Sequence, residues 1–257
     1  VVFKLIQAHA STMGIEVQEL QPYLDLVATA SAADIVPILD ENRVLTYFGM
    51  QVYQQSPRPG LMALLGERKQ RAVSVTDLVF RVAPRINAAG RMKHGTYAVE
   101  LLLSDSIEEA TKRAEAIEVF NEDRKTLDRE ITEQALAQIE ESGQTDKAST
   151  VVYDPEWHKG VIGIVASRLI ETHYKPTVVF TRSGDVFTAS ARSVRGFDLY
   201  AALSACQEHM IQFGGHKYAA GLTIHPEQYV DFCQYFEEVV SNQILPEQQE
   251  RTLSIDM

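Results

Sequence analysis

Apolar residues in the first hundred positions recur every three or four residues, which is the period of one face of a helix. The pattern predicts a helix over 1–13, a second helix or turn near 19–24, a helix over 40–54 and a short helix over 60–67. A stretch rich in small residues, 24–38, contains Pro37 near its end. A turn signal of serine, prolines and glycine at 56–60 precedes the last helix.

One long helical pattern runs from 105 to about 142, with no proline or glycine before Gly143. Its apolar residues, such as Ile117 and Ile131, stand at helical spacing among dense charges. At a rise of 1.5 Å per residue such a helix is roughly 50 Å long. Because so charged a helix suits solvent better than a core, we expect it to connect two domains.

After Gly143 the pattern changes to short β-branched runs that alternate with helical runs. The predicted strands are 149–153, 177–181, 186–191 and 222–224, and the predicted helices are 160–173, 198–209 and 226–242. Such alternation is typical of a compact α/β domain. The predicted fold class is therefore α/β.

The charge is negative in total but uneven along the chain. The formal net charge is −11, and acids exceed bases by 12 to 5 over residues 105–142. Bases exceed acids by 7 to 4 over residues 157–217 and by 4 to 2 over residues 75–100. Basic charge thus concentrates where the glycines are, which is compatible with a local surface that faces phosphate.

The cysteines and the absence of long apolar runs indicate the cellular setting of the protein. Cys206 and Cys233 both lie in apolar helical contexts, which favours two reduced, buried thiols and a cytoplasmic protein over a disulfide. The sequence has no run of about 18 apolar residues and no secretory leader, so we expect no membrane span. Because Val1 opens directly into an amphipathic helix, we interpret the chain as cut from a longer protein.

The most informative segment is QFGGHKYAAG, residues 212–221. Its adjacent glycines, Gly214 and Gly215, let backbone N–H groups approach an anionic ligand closely, and His216 and Lys217 follow at once. The alternative interpretation is a glycine turn that leads into a buried strand.

A second segment, residues 154–168, leads from a strand through a loop into the start of a helix. Free N–H groups at a helix N-terminus favour an anion, and His158 and Lys159 lie at that end. Trp157 could stack on a base. It is the only tryptophan, and a structural role in the core is an equal alternative.

Two further segments combine arginine with small polar residues. In SARS, residues 190–193, two hydroxyls flank Arg192, which suits a phosphate or a sugar, although serine and arginine are common at exposed strand ends. In residues 81–92 three arginines surround a predicted small-residue turn that would let a nucleic-acid strand approach. The alternative for this segment is a solvated loop between domains.

Asp34 lies in an apolar, small-residue run, where an unpaired buried carboxylate would be costly. The residues alone leave two interpretations, a helix N-cap and a metal ligand, and they favour the cap.

Together and in this order, these segments resemble the RecJ family within the DHH–DHHA1 phosphoesterases, over nearly the whole chain. The most specific parts are APRINAAGRM (83–92), WHKGVIGIVASRL (157–169), SARS (190–193) and GGHKYAAG (214–221). The last element is similar across the whole superfamily, whereas the first two are typical of RecJ.

The resemblance implies two α/β domains joined by a long helix. Residues 1–104 would be the end of a DHH catalytic domain, 105–143 the connecting helix and 148–242 a DHHA1 substrate-binding domain. Residues 243–257 would begin a following OB-like domain.

The resemblance also implies a metal-dependent 5′-to-3′ exonuclease on single-stranded DNA that serves DNA repair and recombination. By position, Asp34 matches a metal ligand of a two-ion Mn²⁺ or Mg²⁺ site, and His216 joins it in the catalytic set. The implied DNA-binding residues are Arg85, Asn87, Arg91, Trp157, His158, Ser190, Arg192, Ser193, Gly214, Gly215 and His216.

This sequence departs from the family pattern because it holds no Asp-His-His triplet and no D-x-D motif. We expect those ligands upstream of Val1, so that the chain alone would bind single-stranded DNA without cutting it. A single-strand-binding protein or a helicase is a further candidate partner. The alternatives are a nanoRNase or cyclic-dinucleotide phosphodiesterase, and a non-catalytic DNA-binding relative.

Overall fold

The computed structural model describes residues 1–66, 72–252 and 255 of the 257-residue chain. It divides into two compact units, Val1–Asp123 and Arg124–Met257. No helix in the described ranges is long and apolar enough to cross a membrane.

In the described part of the first unit every regular element is helical. These elements are α1 Val2–Met13, a 3-10 helix Val17–Tyr23, α2 Leu24–Ala33, α3 Asp40–Gln55, α4 Pro59–Leu65, α5 Val75–Asp77, a π-helix Leu78–Val82, α6 Ala83–Met92 and α7 Thr96–Leu102. The helices predicted over 1–13 and 40–54 are confirmed. Residue 67, the last of the short helix predicted over 60–67, lies outside the described residues.

Small residues let α2 and α3 pack unusually closely. A Cβ placed on Gly49 of α3 would lie 2.2 Å from the Leu24 carbonyl oxygen and 2.7 Å from the Ala28 Cβ. Ala28 and Ala32 of α2 are buried in the same core. The small-residue stretch after residue 24 is therefore a helix whose composition is set by close packing.

The arginine-rich segment 81–92 is a helix and not the predicted turn. Pro84 lies in the first turn of α6, which continues directly from the π-helix Leu78–Val82. Because a proline has no N–H to donate to the preceding turn, it disturbs the regular α-helical hydrogen bonds there, where the wider π-turn is found. Ala88 and Ala89 are fully buried, so one face of α6 packs in the core. The small residues that suggested a turn are the buried face of this helix.

The long helix, α8 Ile107–Glu141, is confirmed, and the boundary between the two units falls within it. Ala110 and Ile117 are buried in the core of the first unit. Ile131, Ala135 and Ile139 are buried farther along the helix, in the residues of the second unit. Each half of α8 thus contributes an apolar stripe to its own unit, which a bare solvated connector would not do.

The second unit is built on one five-stranded sheet, which confirms the α/β class. Its strands are β1 Thr150–Tyr153, β2 Thr177–Ser183, β3 Val186–Arg192, β4 Gln212–His216 and β5 Ala219–Ile224, in the order β1-β2-β3-β5-β4. β1 and β2 are parallel, and the other neighbours are antiparallel. The strand β4 was not predicted, because its glycines and polar residues carry no alternating apolar pattern.

Helices cover both faces of this sheet. They are α9 Ile162–His173, α10 Leu199–Ala205 and α11 Tyr229–Gln243, with 3-10 turns at Gln144–Asp146, Gln207–His209, Pro226–Gln228 and Pro246–Gln248. α9 packs on β2 and β3. On the other face, Phe180 of β2 packs edge-on against Phe232 of α11, and α10 joins the same core. The OB-like start predicted at 243–257 falls partly on residues 253, 254, 256 and 257, which lie outside the described residues.

Both cysteines are free thiols, as predicted. Cys206 is fully buried and Cys233 is partly buried. Burial raises the pKa of Cys206 to about 12 and that of Cys233 to about 11. Both thiols are therefore protonated and unreactive at neutral pH.

Candidate nucleic-acid interface

A row of three residues without large side chains crosses the sheet of the second unit. Ser190 of β3 lies opposite Gly221 of β5, and Gly221 lies opposite Gly214 of β4. Gly214 and Gly221 are exposed. A Cβ on Gly214 would meet nothing within 4 Å, and one on Gly221 would meet only the Ala189 carbonyl oxygen, at 3.8 Å. Packing inside the protein does not require glycine at either position, so this bare strip of backbone is open to a ligand from outside.

A second row of residues lies beside the strip, two residues along each strand and hence on the same face of the sheet. We call it the polar row, because the residues at its two ends are polar. Arg192 of β3 lies opposite Ala219 of β5, which lies opposite His216 of β4. The Arg192 Nη1 donates to the Ser190 Oγ at 3.0 Å and to the Ala191 carbonyl at 2.8 Å. A guanidinium and an imidazole thus border the glycine strip.

The exposed His216 is oriented by the hairpin that carries it. Its Nδ1 accepts a hydrogen bond from the Tyr218 backbone N–H at 3.3 Å. Because Nδ1 is the acceptor, the neutral ring carries its proton on Nε2. The outer ring nitrogen is then a donor suited to a phosphate oxygen.

The first turn of α9 closes one side of the strip. A Cβ on Gly163 would lie 2.9 Å from the Ser190 Oγ and 3.0 Å from the Arg192 Nη2. Glycine at this position lets the helix approach both side chains closely without displacing them. The first turn of α9 holds no acidic residue, so the positive end of the helix dipole adds to the guanidinium charge.

Two of the predicted binding residues have evident structural roles. Gly215 has a φ of 156°, and a Cβ there would lie 2.3 Å from the Ala219 carbonyl oxygen, so the hairpin requires glycine at this position. The Ser193 backbone N–H donates to the Tyr218 carbonyl at 3.1 Å, and its hydroxyl donates to the Phe197 carbonyl at 3.1 Å. Both residues fix the loop and hairpin around the strip, and direct contact with DNA stays a prediction for them.

Trp157 does not lie where it could stack on a base. Its side chain is buried, and its indole Nε1 donates to the Gln134 Oε1 at 2.7 Å. Its backbone carbonyl accepts from the Thr181 hydroxyl at 2.6 Å. The structure supports the core role that the sequence had left open, and the prediction of base stacking by Trp157 is wrong for this structure.

His158 belongs to the turn that precedes α9. Its Nδ1 accepts from the Gly160 N–H at 3.1 Å, and its carbonyl accepts from the Val161 N–H at 2.9 Å. The helix begins at Ile162, so His158 precedes the first turn and is partly buried. Its contact with DNA remains a prediction.

In the first unit, α6 separates the predicted arginine cluster onto different faces. Asn87 and Arg91 are exposed and stand four residues apart, on one face of the helix. Arg85 instead donates from Nε to the Glu118 carboxylate and from Nη1 to the Arg81 carbonyl, the latter at 2.8 Å. The Arg85 charge is thus balanced by an acid within its own unit.

Asp34 is neither buried nor an N-cap. It is exposed and lies directly after the last residue of α2, with a φ of −88°. The predicted cap is therefore wrong, because the helix ends at Asp34 and does not start there. Its role as a metal ligand stays a prediction.

Comparison with known proteins adds to this geometry. Residues 146–242 match the family described as DHHA1 domain. The single-stranded-DNA-specific exonuclease RecJ of Escherichia coli K12 is 37% identical over 243 residues, which cover 90% of this chain and 42% of the relative. The protein of the same name from Bacillus subtilis 168 is 36% identical over 256 residues, covering 96% of this chain and 31% of the relative.

Solved structures of RecJ are also similar to this chain. The crystal structure of RecJ in complex with Mg²⁺ from Thermus thermophilus superposes with a TM-score of 0.83 at 30% identity, covering 94% of this chain and 38% of that chain. Over nearly its whole length the chain is similar to RecJ. It spans less than half the length of the curated relatives that it matches.

The described residues of this chain do not by themselves form a two-ion metal site. Among the described residues, no group of three or more histidine, cysteine, aspartate or glutamate side chains could hold a metal ion. Asp34, the predicted metal ligand, would supply one carboxylate, whereas a two-ion site needs several that converge.

Sequence reasoning missed three residues with clear structural roles. Gly163 lies within the motif WHKGVIGIVASRL and Gly221 within GGHKYAAG, but no sequence pattern distinguished them as site residues. Close helix packing at Gly163 and open space at Gly221 define the strip. Asp25 was missed altogether. It is a fully buried carboxylate that accepts from the Leu26 N–H at 2.7 Å and from the Arg58 Nε at 3.1 Å.

Proposed function

We propose that this chain is the DNA-holding part of a single-stranded-DNA exonuclease that digests in the 5′-to-3′ direction and serves DNA repair and recombination. The observation that carries the proposal is the open glycine strip of Gly214 and Gly221, bordered by Ser190, Arg192 and His216 on one face of the sheet. The name that the curated relatives share, single-stranded-DNA-specific exonuclease RecJ, supports the choice of substrate.

The strip suits a phosphate backbone for steric and electrostatic reasons. Gly214 and Gly221 leave room for a sugar–phosphate chain to lie flat against the sheet. The Arg192 guanidinium and the His216 Nε2 can then donate to phosphate oxygens, and the Ser190 hydroxyl is held beside them by Arg192. Contacts of this kind position a strand without reading its sequence.

Cleavage requires residues beyond this chain. When bound, Mn²⁺ or Mg²⁺ ions would activate a water molecule and stabilise the displaced oxygen. Two structures of relatives were solved with Mg²⁺ and Mn²⁺ bound. We infer that Asp34 contributes one ligand in the whole protein, while the chain alone holds DNA without cutting it. The free thiols favour a cytoplasmic setting, and a single-strand-binding protein or a helicase is a candidate partner there.

The test of this proposal uses both the whole protein and the chain. The whole protein should degrade a single strand from its 5′ end when Mn²⁺ is added, and the 257-residue chain should bind the same strand and leave it intact. Equal digestion of duplex DNA, or a preference for very short oligonucleotides, would contradict the proposal. Robust cleavage by the chain alone would show that the catalytic residues lie within it, which contradicts the proposal.

A further inference from the structure

The burial of Trp157 leaves the interface without the base-stacking residue that the sequence suggested. The hairpin that joins β4 to β5 offers another aromatic ring. Tyr218 lies at the tip of this hairpin, and 47% of its surface is exposed. It is two residues from His216, which belongs to the polar row beside the glycine strip.

The backbone of Tyr218 is held from two sides. Its N–H donates to the His216 Nδ1 at 3.3 Å, and its carbonyl accepts from the Ser193 N–H at 3.1 Å. The second bond joins the hairpin tip to the loop directly after Arg192. A ring on so well fixed a backbone loses little conformational freedom when it meets a ligand.

The ring of Tyr218 is open to a partner. In the part of the chain that the structure describes, Tyr218 has no ring–ring contact, whereas the ring of the similarly exposed Tyr200 packs against Phe213 at 5.4 Å. The ammonium of Lys217 lies 5.8 Å from the centre of the Tyr218 ring. At the hairpin tip a cation therefore lies over an exposed aromatic ring.

We infer that Tyr218 is a base-stacking platform for the single strand whose phosphates lie along Arg192 and His216, with Lys217 beside it to neutralise an adjacent phosphate. The inference rests on the proposed function. It adds that the interface binds bases as well as phosphates. Stacking on tyrosine is tolerant of base identity, because every base presents a π face.

The test compares two ligands of equal charge in equilibrium binding by fluorescence anisotropy, with the full chain and without added metal. One ligand is a 3′-labelled oligothymidylate, and the other is the same length of abasic sugar–phosphate chain. Tyr218→Ala should weaken binding of the base-bearing strand by about tenfold and leave binding of the abasic strand unchanged. Tyr218→Phe should bind both ligands like the parent chain.

Tyr235→Ala is the matched control, because Tyr235 is also exposed but lies on α11, which packs on the other face of the sheet. It should change neither affinity. If Tyr218→Ala binds the base-bearing strand normally, or loses affinity equally for both ligands, the stacking role is wrong. If the parent chain binds both ligands equally, stacking fails while the proposed function stands. If it binds neither, the proposed function fails as well.

Discussion

The Arg168 guanidinium and the Asp128 carboxylate form a bidentate ion pair between α9 and α8 in the second unit. Nε lies 2.7 Å from Oδ1, and Nη2 lies 2.8 Å from Oδ2. The Asp128 side chain is only 3% exposed, whereas that of Arg168 is 49% exposed. The hydrogen bonds to Asp128 raise the pKa of Arg168 above its ordinary value. The pair ties the long helix to the helix whose first turn carries Gly163.

We expect Arg168→Ala to lower the free energy of unfolding of the second unit. The loss should be about 1–2 kcal/mol, because a buried carboxylate loses its bidentate partner although the arginine itself is half-exposed. Trp157 lies in this unit, so chemical unfolding followed by tryptophan emission measures the change. Arg129→Ala, at an exposed position on the same helix as Asp128, is the control. An equal effect of the two substitutions would show that the bidentate geometry is unimportant.

Replacing Gly214 or Gly215 with alanine should change two different properties, DNA affinity at Gly214 and stability at Gly215. Gly215→Ala places a methyl group against the Ala219 carbonyl at a φ of 156° and should cost more than about 3 kcal/mol of stability. Gly214→Ala meets open space, so its unfolding midpoint should match that of the parent. Its affinity for single-stranded DNA should instead fall by about tenfold, because the methyl group displaces a phosphate that would lie on the strip.

Measuring both quantities for both variants separates structure from binding. Normal DNA affinity of Gly214→Ala would mean that the glycine strip does not contact the strand.

Trp157 should report folding and not DNA binding. Because it is the only tryptophan and is buried with its Nε1 bonded to Gln134, its emission should be blue-shifted and unchanged by saturating single-stranded DNA. Trp157→Phe should keep the DNA affinity and lose about 1 kcal/mol of stability with that hydrogen bond. Strong quenching of the emission by oligothymidylate would restore the stacking role.

The stability of the first unit should depend on pH through Asp25. Burial raises the pKa of this carboxyl above the ordinary aspartate value, and the nearby Arg58 opposes the shift only in part. The Arg58 Nε also lies 2.9 Å from Oδ2, but Oδ2 has no hydrogen-bond partner among the described residues. The folded state therefore binds a proton more readily than the unfolded chain does.

The stabilising contribution of Asp25 is then complete below the ordinary pKa of aspartate and is lost as the pH rises through the raised value. Thermal unfolding followed by circular dichroism should show parent stability falling, relative to Asp25→Asn, as the pH rises from about 4. A difference between the two that is independent of pH, or that grows in favour of the parent, would contradict this assignment.

Sequence reasoning located the interface through short motifs but misjudged several side chains inside them. The period of apolar residues sufficed for α1, α3, α8 and most of the sheet, because those elements bury one regular face. It failed for β4, whose glycines have no side chains to alternate, and for α6, whose alanines resemble a turn. The burial of Trp157 and the pairing of Arg85 with Glu118 depend on residues 23 and 33 positions away, which no local pattern contains.

The two adjacent glycines of β4 show the same limit of prediction from a local sequence pattern. Gly214 and Gly215 are adjacent glycines, yet a Cβ on Gly214 would meet open space and a Cβ on Gly215 would clash with the Ala219 carbonyl oxygen. Only the register of β4 against β5 distinguishes them. The family resemblance supplied both positions as binding residues, and the structure divides them into one that leaves room for a ligand and one that shapes the hairpin.

The central claim is that this chain holds single-stranded DNA through phosphate contacts along the open glycine strip of its sheet. The most direct test is the dissociation constant of the chain for a single-stranded oligonucleotide over a series of salt concentrations, without metal. Affinity should fall steadily as salt rises, and Arg192→Gln should weaken binding and reduce the salt slope by about one phosphate contact. Arg182→Gln, at the far end of β2, should change neither. Absence of binding at low salt, or binding that does not depend on salt, would contradict the account.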